Sequence, residues 1–297
     1  MQRKDRIDAL GAVALVSFSF LMGINQVMVK LVNAGMSPVF QAGARSACAL
    51  LLVLMIAMAA RKRLSVTDGS FWPGILCGTL FSFEFLLLFE GLEFTAVSRA
   101  SVIFYTMPVW VAVAAHFLIP GESLTRRRVL GLVLAVVGVA VALLDAPPEF
   151  APEALKGDLM CLAGSFCWAG IALTARLTRL SRSEPEMQLI YQLAVSGPLL
   201  LMLSPLFGPA LREVTETILW IFAFQVVVVV SIGFLVWFMV LRVYPASDMT
   251  AFSFLAPLFG VVASWVILNE PFSWSVVAAL VMVGTGIAMI SWRRAQS

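Results

Sequence analysis

The sequence predicts an all-α membrane protein: ten transmembrane helices built as two inverted five-helix repeats, with both termini cytoplasmic. Three observations predict it. Of the 297 residues, 61% are hydrophobic and 12% charged, with a mean hydropathy of +0.97; soluble domains carry about twice that share of charge. Ten apolar stretches, each near the ~20 residues that cross a bilayer, follow one another with short connections. The second five repeat the pattern of the first.

The first stretch, 9–30, follows the basic start "MQRKDR" and resembles a signal peptide. It runs on to Lys30, longer than a signal core, and further stretches follow, so it is expected to be a retained span. Spans 2 to 5 are expected at 38–60, 71–92, 96–119 and 128–145, and spans 6 to 10 at 157–178, 186–206, 217–241, 247–268 and 273–292. Span 3 holds Glu84 within "LFSFEFLLLF", span 4 holds Pro108 within "YTMPVW", and span 9 holds Pro257 within "FLAPLF".

Basic residues orient the spans. With the N-terminus inside, the inner segments contain Arg3, Lys4, Arg6, Arg61, Lys62, Arg63, Arg126, Arg127, Arg128, Arg176, Arg179, Arg182, Arg242, Arg293 and Arg294. Only Lys30, Arg45, Arg99, Lys156 and Arg212 fall elsewhere. A net charge of +3, scattered in this way, gives no basic patch for nucleic acid. The four cysteines lie in apolar runs without metal or redox spacing and read as packing residues.

The Pro-rich connection "DAPPEFAPEALKG" at 145–157 divides the chain into repeats at 1–147 and 148–297. Aligned without a gap, 82–108 and 231–257 share Ser82, Phe85, Leu86, Phe89, Leu92, Ser98 and Pro108. Outside that block, Ser19, Phe20 and Lys30 meet Ser165, Phe166 and Arg176, Gln41 meets Gln188, and Glu122 of "GESL" meets Glu270 of "NEPF". Five spans per copy is an odd number, so the second copy lies upside down, as in secondary transporters.

On these residues the chain resembles the drug/metabolite transporter superfamily in its ten-helix form of two EamA-type repeats. Within it, the chain looks most like the bacterial YddG-type exporters of aromatic amino acids, which implies a multi-pass inner-membrane protein. The resemblance further implies a central cavity lined by spans 1, 3, 4, 6, 8 and 9, with 2 and 7 as outer walls and 5 and 10 peripheral.

Residue chemistry indicates what could line such a cavity. Ser101, Tyr105 and Pro108 recur at helical spacing on span 4, and Ser253, Phe254 and Pro257 stand in the equivalent region of span 9. A proline cannot donate to the carbonyl four residues back, so each opens an acceptor at membrane depth; neighbouring helices satisfying that carbonyl is the competing explanation. Asn25 and Gln26 on span 1 either bind a zwitterion or join helices. Trp168, Phe81, Phe234 and Trp237 could wall the site, or pack in core or lipid.

Glu84 at mid-span could carry a coupling proton or hold a substrate ammonium; a structural pair with Arg45 is the alternative. Glu90, Arg99 and Asp248 lie at span ends and are expected to act as gate or helix-end charges. The expectation is therefore an exporter of small amphipathic metabolites, aromatic and apolar amino acids first, working by alternating access. It needs no metal or cofactor, and a monomer suffices. Quaternary-ammonium drugs are the alternative cargo. An intramembrane transferase is remote, because the sequence contains no DxxD, HExxH or GxSxG.

Overall fold

In the computed structural model, residues 8–62, 64–119, 124–144, 151–243, 255–271 and 273–291 are described. They form helices α1 (Ala9–Asn33), α2 (Pro38–Ala59), α3 (Phe71–Phe94), α4 (Val97–Phe104), α5 (Met107–Leu118), α6 (Arg126–Leu144) and α7 (Ala151–Leu177). There follow α8 (Pro185–Leu203), α9 (Glu216–Phe224), a π-helical segment (Gln225–Gly233), α10 (Phe234–Val243), α11 (Leu255–Ile267) and α12 (Trp274–Ser291).

Among the described residues, eight helical runs are long and apolar enough to cross a membrane, with α4 and α5 forming one and α9, the π segment and most of α10 another. Two shorter apolar helices, Leu255–Ile267 and Trp274–Ile290, complete the bundle as described. Large apolar side chains such as Leu51, Met55, Leu130, Val133 and Val266 point outward, as a protein solvated by hydrocarbon requires.

Local chemistry sets several boundaries. Asp8 accepts from Gly11 N at 2.9 Å and caps α1, while Pro38 occupies the first turn of α2, where no donor is lost. The turn after α1 pairs with the loop before α9: Ser37 N donates to Ala210 O and Arg212 N to Gly35 O. This is the distal end of the bundle; the opposite, proximal end carries residues 64–70 and 178–185.

Among the described residues, the principal helix pairings exchange with one another when the halves are swapped. α2 packs on α8 and α6 on α12, each pair being its own counterpart. α1 on α11 corresponds to α7 on α4 and α5, and α3 on α8 to α2 on the π segment. Glycine at the α6–α12 crossing carries the same relation. A Cβ on Gly286 would stand 2.5 Å from Gly131 O, and one on its counterpart Gly138 would stand 3.0 Å from Ala279 O. Small residues let the two backbones touch where no hydrophobic force drives helices together.

Candidate functional site

Around Pro108 the chain does more than kink. α4 ends at Phe104, and Tyr105 and Thr106 form a turn before Pro108 enters the first turn of α5. Thr106 N bonds Ile103 O at 3.1 Å and Val109 N bonds Thr106 O at 2.8 Å, so the ladder tightens by one residue. Side chains complete the break. Thr106 Oγ1 donates to Ile103 O at 2.6 Å, and Trp110 Nε1 donates to Ser165 Oγ on α7 at 2.9 Å.

Pro257 is buried in the first turn of α11, where Gly23 of α1 lies against Ala256 O and Gly260 N. Beside that crossing, Ser101 Oγ donates to Gln26 Oε1 at 2.5 Å. Two candidates, Gln26 and Ser101, are thereby bonded to each other, while the neighbouring Asn25 has a buried Oδ1 without a partner.

The aromatic candidates fall into two groups. Trp168 stacks on Phe104 at 5.1 Å and meets Tyr105 edge-on at 5.4 Å. Phe81 contacts Phe85 at 4.5 Å and Phe234 at 6.3 Å, and Trp237 stacks on Phe18 at 4.8 Å. Ser253, Phe254 and Asp248 lie outside the described residues.

Glu84 is 5% exposed, and its Oε2 has no hydrogen-bond partner. Arg45, expected on an outer wall, is instead 1% exposed, with its guanidinium 4.5 Å from the ring centres of both Phe85 and Phe89. The two charges attract electrostatically, yet among the described residues no ion pair within 4 Å joins them. One turn along α2, Gln41 Nε2 donates to Gln225 Oε1 at 3.1 Å, where the π segment begins. Both amides are fully buried, and Gln41 Oε1, Gln225 Nε2 and Arg45 Nε are left without partners.

The distal end contrasts with this cluster. Arg99 is paired with Asp158 and also donates to Leu143 O at 3.3 Å. Thr95 Oγ1 donates to Asp158 Oδ1 at 2.6 Å, and Lys30 Nζ to Thr95 O at 2.6 Å. Glu270, from the loop before α12, accepts from Val97 N at 2.7 Å and Ser98 N at 3.0 Å and so caps α4. Arg212 pairs with Glu93 at 3.0 Å and donates to Asn33 O at 2.8 Å. Glu90, half-buried nearby, has an unpartnered Oε2.

At the proximal end Lys62 pairs with Glu186 at 3.1 Å and Glu184 at 3.5 Å. The hydrogen bond that the Lys62 ammonium donates to Glu186 holds it above the ordinary lysine range. Hydrogen bonds with Ser70 hold the Asp68 carboxyl below its usual range. Among the described residues no group of three His, Cys, Asp or Glu side chains is placed to hold a metal.

Sequence reasoning missed the roles of Asp158 and Glu270 and the burial of Arg45. The available signal was the spacing of Gln41 and Arg45, four apart on one helix face, which a lipid-facing wall would not tolerate.

Residues 9–144 and 155–292 each match the EamA-like transporter family. The chain is 27% identical over 284 residues to the uncharacterized transporter YvbV of Bacillus subtilis, covering 94% of this chain and 91% of that protein. It is 25% identical over 300 residues to a Salmonella typhimurium protein named as a probable amino-acid metabolite efflux pump, covering 97% and 94%. One crystal structure superposes with a TM-score of 0.69 at 19% identity, over 94% of this chain and 96% of the other, which establishes a shared fold.

Proposed function

Since the chain belongs to the EamA-like transporter family, we propose that it is a secondary transporter exporting small amphipathic metabolites, aromatic and other apolar amino acids first, across a bacterial inner membrane. The observation that carries this reading is Glu84. A carboxylate buried at mid-span with an unpartnered oxygen marks a substrate or ion path, because its burial is costly unless something recoups it. Glu84 lies within electrostatic reach of Tyr105 and Cys167. The rings of Phe81, Phe85, Phe104 and Trp168 are suited to an apolar side chain. The name carried by the Salmonella relative agrees with amino-acid cargo.

In this reading the two shorter helices are the ninth and tenth spans, and the clustered basic residues keep both termini cytoplasmic. The distal network around Asp158, Arg99 and Glu270 is then the closed periplasmic gate. Glu90 lies at its edge, and Asp248 belongs to the equivalent gate of the other half. The break at Pro108, together with Pro257 in the first turn of α11, lets helices rock so that a central site opens to each side in turn. A monomer encloses its own site, and catalysis plays no part.

The test is efflux from liposomes containing the pure protein and loaded with radiolabelled phenylalanine, leucine or methionine. Flux above that of empty vesicles is expected, and its absence for every apolar amino acid would sink the reading. The carboxylate among rings also suits a quaternary-ammonium ion. Flux of such cations without amino acids would transfer the assignment to that cargo.

A further inference from the structure

The proposed amino-acid cargo leaves open how the substrate's charged end is recognised, and the inference below rests on that reading. α2 presents Gln41 and Arg45 on one face, toward α3 and the π segment. Each of these two residues, and each of Gln225 and Glu84, is more than nine-tenths buried and has a polar atom without a partner.

The leftover atoms divide by chemistry. Arg45 Nε and Gln225 Nε2 are donors, and Gln41 Oε1 and Glu84 Oε2 are acceptors. Exchanging oxygen and nitrogen in both amides reverses the Gln41–Gln225 bond but still leaves one donor and one acceptor over, so the inventory does not depend on how the amides were assigned. A buried guanidinium unpaired within 4 Å needs an anion, and a buried carboxylate in the same state needs a cation. Their own attraction does not bring them together in this structure.

We infer that Gln41, Arg45, Glu84 and Gln225 form the headgroup site for a zwitterion: Arg45 and the free donor of the glutamine pair take the α-carboxylate of an amino acid, and Glu84 and the pair's free acceptor take its α-ammonium. Each end neutralises one buried charge, so an amine or an acid alone leaves the opposite charge bare. The site then rejects both monopolar analogues, including quaternary-ammonium cargo. The Phe85 and Phe89 rings flanking the guanidinium hold it in place while it is without an anion. The π-helical segment in the middle of the facing span begins at Gln225 and sets it against α2, and π-helical turns recur at functional sites.

The experiment compares L-phenylalanine, phenethylamine and 3-phenylpropionate, with liposome flux and ligand-induced thermal stabilisation of the detergent-purified protein read in parallel. Wild type should favour phenylalanine over each analogue by on the order of 10-fold or more in both readouts, because a site built for polar groups rejects a ligand lacking them. Arg45→Lys keeps a buried cation but loses the fork; it should raise KM for phenylalanine by roughly 10-fold with kcat within about twofold. Arg45→Gln should move the preference toward phenethylamine, and Glu84→Gln toward 3-phenylpropionate. The inference is overturned if wild type handles all three alike, or if both Arg45 variants keep the wild-type ranking. Equal flux of all three would remove the zwitterion site and leave the transporter standing. Stabilisation by phenylalanine alone without any flux would do the reverse.

Discussion

Two buried polar regions lie in the same bundle and differ in whether their charges are paired. At the distal end, Asp158 receives Arg99 and Thr95, Glu270 receives two backbone amides, and Lys30 reaches a carbonyl. At mid-bundle, Gln41, Arg45, Glu84 and Gln225 are also more than nine-tenths buried, but among the described residues Arg45 and Glu84 have no charged partner within 4 Å, whereas Arg99 keeps one unpartnered nitrogen beside its ion pair with Asp158. Burying a charge costs the same desolvation wherever it happens. Where the chain itself supplies the partners, the groups serve the fold; where it withholds them, it stores a cost that a ligand can relieve.

The contrast breaks first at Asp158. Asp158→Asn leaves the Arg99 guanidinium buried against a neutral amide and should cost about 3–5 kcal/mol. Thermal melting in detergent measures it, and a loss under about 1 kcal/mol would place Asp158 outside the structural set. Glu84→Gln should behave oppositely. Amino-acid flux should fall by roughly 30-fold, as loss of about 2 kcal/mol of charge-assisted bonding predicts, while the melting temperature holds or rises. Unchanged flux with unchanged pH dependence would remove Glu84 from both the substrate and the proton path.

Smaller effects sharpen the same boundary. Glu270→Gln weakens the cap on α4 and should cost about 1 kcal/mol in the same melts. The Gln41→Leu and Gln225→Leu single variants each strand an amide. The double variant should recover to within about 1 kcal/mol of wild type, less than the sum of the singles.

The half-exposed Lys62 pair sets the floor, and Lys62→Met should cost only ~0.2–1 kcal/mol. Because Glu186 raises the Lys62 ammonium above its ordinary 10.5, that small contribution is complete below this value. It fades as pH climbs through the raised folded-state value, so the wild-type and variant melting curves should converge at alkaline pH beyond it.

Much of this was legible beforehand. The apolar stretches at 9–30, 38–60 and 71–92 correspond to α1, α2 and α3 within a few residues, because hydropathy is a property of each stretch alone. Pro108 marked a real interruption, but not its form: the helix stops and restarts around Tyr105 and Thr106 because Thr106 and Trp110 find partners on adjacent turns and on α7. The pattern of α2 gave no hint of which neighbour would cover Arg45. Its burial follows from the rings of α3, forty residues away in sequence.

The sequence by itself determined that the chain is a bundle of apolar helices in two related halves, since span length, charge placement and repeat are all written locally. Only the tertiary structure decided which polar groups are satisfied. Val97 is capped from 173 residues away and Gln41 is bonded from 184 residues away. Partners so distant are chosen by the packing of helices, and a hydrogen bond a few ångströms long is made or withheld by that packing alone.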